Sequence, residues 1–329
     1  MKNKIFGIRL HEARLMTGWS MEQLSEKTGR KIAKQSISKY ENYQMMPRQG
    51  TIAALSAALD ISPEYFEGSN IRIDMPMLRN TLNTTLSPTD SARLEAMLSF
   101  WAEQYIKAEE KTNMKTPFIN PLKDILAEDI SDVSTAASLL RTAWHCGDGP
   151  IPSLLRLMER KGIKILDKKL PGGVLGLSTW ADDRYPLVAI DMSHEKHTPE
   201  RLRFTAAHEL GHLVLNIPQD TDDAKREKLC NMFAGCFILP KDTLIEELGG
   251  SHRDSLTLEE LVDLHEVYGV SIAALVHEAW DFGIIPREHY DWWYNERIKK
   301  NRKEIGWGAY LYPETIGREK RVKSNIRKH

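Results

Sequence analysis

Residues 203–240 read RFTAAHELGHLVLNIPQDTDDAKREKLCNMFAGCFILP and contain an H-E-x-x-H pattern at His208, Glu209 and His212. On a helix, two histidines four residues apart project from one face and can share a metal ion. Glu209 lies between them and is a candidate general base. The apolar and small residues around the pattern indicate a buried helix, in which histidines without partners would be costly. The stretch therefore predicts a metal centre rather than two surface histidines.

A zinc centre with an open coordination position needs a third protein ligand, and Glu227 is the candidate that follows. Pro218 ends the first helix, and Thr221 or Asp222 can cap a second helix that carries Glu227. Asn231 lies one turn further along the same face of that helix. We therefore predict that Asn231 holds a ligating histidine through its other ring nitrogen.

The composition limits the classes of protein to which the chain can belong. The chain has 329 residues, 41% of them hydrophobic and 28% charged, which is ordinary for a globular protein of two or three domains. No apolar run approaches the length of a membrane span, and the N-terminus lacks the pattern of a signal peptide. Three cysteines, Cys146, Cys230 and Cys236, are too few for a disulfide framework. We therefore expect a cytoplasmic protein without a membrane partner.

The net charge of −1 conceals an asymmetry along the chain. Residues 1–66 hold ten Lys and Arg against six Asp and Glu, and residues 287–329 hold twelve against six. The residues between them are correspondingly acidic. Basic ends on an acidic body make nucleic acid a possible partner of the ends.

The N-terminal region reads as a series of short helices. Ser20 and Gln23 form a capping-box pattern at the start of the second helix. The segments W-S-M-E-Q-L-S-E-K-T-G, Q-S-I-S-K-Y-E-N and T-I-A-A-L-S-A-A-L-D-I-S-P-E-Y-F resemble the phage-repressor (XRE) helix-turn-helix family over about the first 66 residues. One departure is a stretch between Gly29 and Ile37 that is two residues longer than is usual in that family.

The XRE resemblance implies binding to operator DNA, in double-stranded form, by a homodimer. In such domains the start of the third helix enters the major groove and the second helix crosses the backbone. The implied groove residues are Gln35, Ser36, Ser38 and Lys39. The implied phosphate contacts are Gln23, Lys31 and Lys34. The alternative is a helical interaction module whose polar side chains are merely solvated.

Between residues 89 and 200 the pattern alternates between helices and short strands. Residues 89–111 form an amphipathic helix, which we interpret as a packing helix. Residues 163–166 predict a strand, and residues 175–180 and 186–190 predict a hairpin. His194 and His197 follow that hairpin and are interpreted as surface residues rather than ligands.

From Arg141 to about Ile285 the chain resembles the ImmA/IrrE metallopeptidase family. The residues that carry this resemblance include R-T-A-W-H-C-G-D-G-P-I, R-F-T-A-A-H-E-L-G-H and E-K-L-C-N-M-F-A-G-C-F-I-L-P. It implies His208 and His212 as zinc ligands, Glu209 as general base and Glu227 as third ligand, the roles already assigned from spacing. The two cysteines of the glutamate-bearing helix are interpreted as core residues. Residues 186–190 are expected to hold an extended substrate by strand addition.

The C-terminal part is predicted to be helical. Residues 256–285 read as two helices joined by a Gly-Val-Ser turn, which we interpret as a packing element rather than a second DNA-binding motif. Tyr290 to Tyr294, followed by a basic tail, could meet nucleic acid or a partner protein. The alternative is a folded edge followed by a disordered tail.

Together these patterns predict a mainly α protein with a small β-sheet (α+β). The expected order is a five-helix helix-turn-helix domain (1–68), a helical connector (69–125), a zincin-like metallopeptidase domain (126–250) and a helical C-terminal subdomain with a basic tail (251–329). The predicted function is a DNA-binding transcriptional regulator whose Zn²⁺-dependent endopeptidase cleaves a repressor or antitoxin-like protein. The alternative is a toxin–antitoxin component that acts through DNA and partner binding, with a structural or weakly active zinc site.

Overall fold

The computed structural model describes residues 2–68, 71–75, 86–193 and 198–326. The chain divides into two compact units, and the division passes through one β-strand. The first unit comprises Met1–Lys111, Leu170–Val174 and Thr179–Arg184. The second unit comprises Thr112–Lys169, Leu175–Ser178 and Tyr185–His329. His194 and His197 lie outside the described residues.

The first unit contains the predicted helix-turn-helix bundle. Its helices are α1 (Lys2–Thr17), α2 (Met21–Lys27), α3 (Lys34–Glu41) and α4 (Gln49–Leu59), followed by a 3₁₀ helix (Pro63–Glu67) and the longer α5 (Pro88–Thr112). The predicted capping box at the start of α2 is present, with Ser20 and Gln23 bonding to each other's backbone N–H groups. The core is apolar and nearly fully buried, and includes Phe6, Leu10, Leu24, Ile37 and Leu55.

The turn between α2 and α3 is held in place by local side-chain hydrogen bonds. The hydroxyl of Ser25 donates to Ile32 O over 2.7 Å, and the hydroxyl of Thr28 accepts from the Ile32 N–H over 3.4 Å. Ile32 itself is buried. Gly29 and Arg30 both have positive φ, the left-handed conformation in which glycine carries no steric cost. The longer turn is therefore an ordered part of the domain.

A buried ion pair joins α1 to α3. Arg14 on α1 donates to both carboxylate oxygens of Glu41 on α3, over 2.7 and 2.6 Å. Arg14 also donates to Trp19 O over 2.9 Å, and the His11 ring contacts Glu41. Burial raises the pKa of Glu41, but Arg14 and His11 outweigh it, so that the pKa lies below its usual value. The ion pair therefore fixes the position of α3 relative to α1.

Replacing Glu41 with Ala is expected to destabilise the first unit by about 3 kcal/mol at neutral pH, because it leaves Arg14 buried without its counter-charge. Since the folded pKa of Glu41 is depressed, its contribution is present above the unfolded pKa and is lost as the pH falls through the folded pKa. Urea unfolding of both proteins at a series of pH values measures this. A difference in stability that does not shrink toward acid pH would contradict it.

Helix α5 packs against the bundle, as its amphipathic pattern predicts. Arg9 on α1 and Glu103 on α5 form a fully buried ion pair with a 2.7 Å separation. The rings of Tyr65 and Phe100 meet edge to face with their centroids 5.2 Å apart. The helix is therefore part of the first unit's core and not a free connector.

The second unit is built from helices around a small sheet. Its helices are α6 (Ile130–Trp144), α7 (Leu154–Arg160), α8 (Pro199–Val214), α9 (Asp223–Ile238), α10 (Lys241–Glu247), α11 (Leu258–Tyr268), α12 (Ile272–Asp281), α13 (Arg287–Trp292) and α14 (Arg318–Ile326), with a π-helical turn at Trp293–Ile298. The strands are β1 (Lys164–Asp167), β2 (Gly176–Ala181) and β3 (Tyr185–Ile190). Of the helices in the described residues, none is long and apolar enough to cross a membrane.

The predicted hairpin is present, but the strand expected to hold substrate is not an edge strand. The sheet order is β1-β3-β2, and β1 pairs with β3 in parallel. Because β3 has a partner on each side, residues 186–190 have no free edge, and the prediction that they bind an extended substrate is wrong. The strands at the two ends of this order are β1 and β2.

Helices α8 and α9 pack together and position the predicted metal ligands. Thr198 caps α8 by accepting from the Arg201 N–H, and Asp222 caps α9 by accepting from the Lys225 N–H. Of the two caps predicted for the second helix, the chain therefore uses Asp222. At Gly211 an added Cβ would lie 3.1 Å from the Phe233 ring, so the glycine allows the two helices to approach closely.

The C-terminal segment is folded through Ile326 and bonded to the second unit. Glu314 is buried and accepts from the Leu154 and Leu155 N–H groups at the start of α7. It also pairs with Arg203 of α8 over 2.8 Å, and both side chains are fully buried. The two-helix prediction for residues 256–285 is confirmed by α11 and α12. Over the described residues, the interpretation as a disordered tail is wrong.

Candidate functional site

His208, His212 and Glu227 converge where α8 meets α9. The Nε2 atoms of the two histidines are 3.1 Å apart. One carboxylate oxygen of Glu227 lies 3.3 Å from His208 Nε2, and the other lies 3.3 Å from His212 Nε2. Among the described residues, this is the cluster of three His, Cys, Asp or Glu side chains with the geometry to hold a metal ion.

The spacing and the chemistry of these three groups fit zinc. For a tetrahedral site with Zn–N distances of about 2.0–2.1 Å, two imidazole nitrogens lie about 3.3 Å apart. Two Nε2 atoms that face each other at 3.1 Å need a proton or a cation between them. The Glu227 side chain is 54% exposed, whereas His208 and His212 are 15% and 24% exposed. The cluster is therefore open to solvent on the glutamate side.

The pKa values of His208 and Glu227 reflect how close the groups of the cluster lie to one another. Burial lowers the pKa of His208, but the carboxylates of Glu227 and Glu209, together with the neighbouring Asn231 side chain, outweigh it and raise the pKa above its ordinary value. Hydrogen bonds from His208 and His212 hold the pKa of Glu227 far below its usual range, although burial opposes them. The carboxylate is therefore ionised at neutral pH and suited to a cation.

The predicted support of a histidine through its other ring nitrogen exists, but a cysteine provides it. Cys230 Sγ lies 3.4 Å from Nδ1 of His212, and burial raises the pKa of this thiol. Asn231 is a neighbour of His208, yet within the described part of the chain the buried His208 Nδ1 has no hydrogen-bonding partner. A role for Asn231 stays a prediction. Cys230 is thus a core residue that also touches the site.

Replacing Cys230 with Val is expected to weaken zinc binding about tenfold or more, because groups that orient a ligating histidine contribute on this scale. Cys230→Ser keeps a hydrogen-bonding atom and is expected to lose less. Competition with a zinc chelator measures the affinity. The matched control is Cys236→Val, since Cys236 is buried on the same helix but is not among the site's contacts. Equal affinities of the two valine variants would contradict the role of Cys230.

Ser178 of β2 contacts the candidate base. Its hydroxyl donates to Glu209 Oε2 over 2.7 Å, and both residues are buried. The strand can approach α8 because residue 176 is glycine, where an added Cβ would lie 2.7 Å from Thr205 Cγ2. Sequence reasoning missed Ser178. The available signal was a pair of small polar residues, Ser178 and Thr179, in an otherwise apolar strand.

His265 and His277 have partners of their own outside this cluster. His265 is buried and its Nδ1 contacts Val270 O at 2.9 Å, as expected of a packing residue. His277 is exposed and pairs with Asp281 over 3.0 Å. Neither joins the cluster of His208, His212 and Glu227.

In the first unit, the predicted DNA-contacting residues lie on or beside α2 and α3 with accessible side chains. Gln23, Lys31, Lys34, Gln35 and Lys39 are exposed, and Ser36 and Ser38 are half-buried. Gln23 is shared with the capping box, and the Ser38 hydroxyl also accepts from Asn42. Helix α3 begins at Lys34 without a side-chain cap, so its first N–H groups are available to a phosphate.

These two arrangements define a class of protein, a helix-turn-helix protein that also carries a metallopeptidase-like domain. Residues 10–66 match the family model described as helix-turn-helix, and residues 158–279 match the model described as IrrE N-terminal-like domain, of peptidase family M78. The chain is therefore a fusion of an XRE-type helix-turn-helix domain with a domain of the ImmA/IrrE family. No curated protein matches the chain significantly.

Proposed function

We propose that the chain is a DNA-binding transcriptional regulator whose IrrE-like domain is a zinc-dependent endopeptidase. Its substrate in this proposal is a repressor or antitoxin-like protein, and its place of action is the cytoplasm. The observation that carries the proposal is the convergence of His208, His212 and Glu227 beside Glu209. A structural metal site needs no adjacent base, whereas a hydrolytic site does.

The side chains divide the chemistry between them. His208, His212 and Glu227 would hold zinc, which supplies Lewis acidity toward water and a peptide carbonyl. Glu209 takes a proton from the attacking water and returns it to the amide nitrogen that leaves. The Ser178 hydroxyl occupies Oε2 of Glu209, so Oε1 is the oxygen that exchanges the proton. Because this bond already holds the Glu209 side chain in one rotamer, the base does not have to reorient during the reaction.

Substrate binding is assigned to β2 in place of β3. An extended peptide can add to a sheet only at an edge strand, and β2 is an end strand of the order β1-β3-β2. The Ser178–Glu209 bond ties the start of β2 to the candidate base. A peptide that binds along this strand would therefore pass close to Glu209.

Cleavage is tested with the proteins encoded by neighbouring genes. The full chain is incubated with each of them, once loaded with zinc and once after removal of metal, and intact masses are recorded. Appearance of two fragments only with zinc supports the peptidase. If no neighbour is cut while operator binding persists, the alternative stands, namely a toxin–antitoxin component that acts through DNA and partner binding.

The DNA part of the proposal assigns base contacts to Gln35, Ser36, Ser38 and Lys39. It assigns phosphate contacts to Gln23, Lys31 and Lys34. Of these four candidates for base contacts, Gln35 and Lys39 are the two with exposed side chains. Binding as a homodimer would present two such helices to two half-sites one helical turn apart.

Replacing Gln35 and Lys39 together with Ala is expected to abolish retention on the protein's own promoter at moderate salt. A lost base contact costs about 1–3 kcal/mol, which is about tenfold or more in affinity. Gel retardation over a salt series measures it, with Lys27→Ala on α2 as the control for loss of positive charge alone. Unchanged retention of the double variant would refute the groove assignment.

A further inference from the structure

A short segment after the helix-turn-helix domain lies extended along the outer edge of β2. Ile73 forms an antiparallel bridge with Ala181. The Asp74 N–H donates to Trp180 O over 3.1 Å, as in a regular antiparallel ladder. Residues 71–75 thus pair with the end of β2 as a neighbouring strand would.

The hairpin turn that follows β2 completes this pairing. The Asp182 N–H donates to Arg72 O, and the Asp182 carboxylate accepts from the Arg72 N–H, each over 2.9 Å. Asp182 and Asp183 both have positive φ, as a two-residue type I′ turn requires. The turn therefore presents both a donor and an acceptor to the backbone of a single extended residue.

Most of the remaining contacts to the segment also reach its backbone. The Ser99 hydroxyl of α5 donates to Ile71 O over 2.8 Å, and the Thr179 hydroxyl of β2 donates to Asp74 O. Only the Ile73 side chain is buried. Recognition through backbone groups plus one buried apolar side chain is the pattern of strand addition, which accepts many sequences with an apolar residue at one position.

We propose that this edge of β2, at residues 179–182, is the acceptor for one extended segment of the protein substrate, and that residues 71–75 hold it as an internal mimic. The proposal rests on the peptidase function above, because the same strand carries Ser178 against Glu209. A substrate segment with an aliphatic residue in the position of Ile73 replaces the mimic. Bound residues 71–75 therefore restrain the peptidase.

The loss of peptide affinity caused by bound residues 71–75 can be estimated. A segment tethered to its acceptor competes at an effective concentration on the order of mM. A free peptide with a Kd of about 100 µM would then bind about tenfold more weakly to the occupied edge than to the open one. Releasing residues 71–75 from the edge should therefore tighten peptide binding about tenfold.

The experiment compares Asp74→Pro, which removes the N–H that binds Trp180 O, with Asp74→Ala, which keeps it. Both are made in the full chain carrying Glu209→Gln, so that the probe is not consumed. The probe is a fluorescent peptide with the sequence of residues 69–76, and its Kd is read by polarisation. Amide hydrogen exchange at Asp182 reports the edge itself.

The expected result is about tenfold tighter binding to the Asp74→Pro chain, faster exchange at Asp182, and renewed protection when peptide is added. A peptide with Ile73 replaced by Asp should not bind, because that side chain must be buried. Equal binding to the Pro and Ala variants, with unchanged exchange at Asp182, would overturn the proposal.

A second variant guards against misfolding of Asp74→Pro. Ile73→Asp in the chain keeps every backbone donor and leaves β2 unchanged, and it removes only the apolar side chain that residues 71–75 bury. It should tighten binding of the unmodified peptide in the same direction, and binding identical to the parent chain would count against the proposal. The peptide-binding and hydrogen-exchange measurements need neither zinc nor cleavage. A chain without peptidase activity would still show this binding, so failure of the proposed function and failure of this inference are distinguishable.

Discussion

Replacing Glu209 with Gln is expected to lower kcat/KM for the protein substrate at least about 100-fold while zinc remains bound. A positioned general base contributes about 10²–10⁴ in rate, and glutamine cannot accept the proton. The substitution keeps the size of the side chain and an oxygen that can accept from Ser178, whose hydroxyl lies 2.7 Å from Glu209 Oε2. The loss should therefore appear in kcat, with KM nearly unchanged.

The control is Glu200→Gln on the same helix. Glu200 lies in the first turn of α8, about 13 Å along the axis from Glu209 at 1.5 Å per residue, and its carboxylate faces His265. Rates are measured on the cleaved partner identified by mass spectrometry, and zinc is measured on the same samples. A Glu209→Gln chain that retains more than about a tenth of the rate would show that another group acts as the base.

Replacing Glu314 with Ala is expected to destabilise the second unit by about 3–5 kcal/mol, because Arg203 is left buried without its counter-charge. Both side chains are fully buried and 2.8 Å apart. The carboxylate also accepts from the Leu154 and Leu155 N–H groups over 3.1 and 2.9 Å, so the start of α7 loses its partner as well. Arg203 precedes His208 and His212 on α8, so the loss of stability should also disturb the candidate metal site.

Urea unfolding followed by tryptophan fluorescence measures this effect. The matched control is Glu296→Ala, which removes an equally charged side chain from an exposed pair with Lys300 and should change stability by less than about 1 kcal/mol. If Glu314→Ala were no more destabilising than the control, the Arg203–Glu314 pair would not be what anchors the C-terminal segment.

The candidate metal-binding cluster could be predicted because its residues lie close together in the sequence. Two histidines at i and i+4 share a helix face by geometry alone, and the capped helix that carries Glu227 follows directly in sequence. The helix-turn-helix bundle is similarly encoded by short apolar periods and a capping box. Its enlarged turn could be seen in the sequence, whereas the Ser25–Ile32 hydrogen bond that orders it could not.

Contacts between distant parts of the chain were the ones missed or misread. Periodicity identified the hairpin, but which of its strands pairs with β1 depends on packing, and so β3 was wrongly expected to be an edge. Ser178, Cys230 and Glu314 each act through a partner on another element. A buried carboxylate such as Glu314 looks like any charged residue of a basic tail until Arg203 is found beside it.

Whether His208, His212 and Glu227 form one zinc centre is tested by the zinc content of the purified chain. Elemental analysis is made on the full chain and on His212→Ala and Glu227→Ala after equilibration with zinc and removal of weakly bound metal. We expect one zinc per wild-type chain and well under half of that in each variant. A wild-type chain without zinc, or variants that keep one zinc per chain, would contradict it.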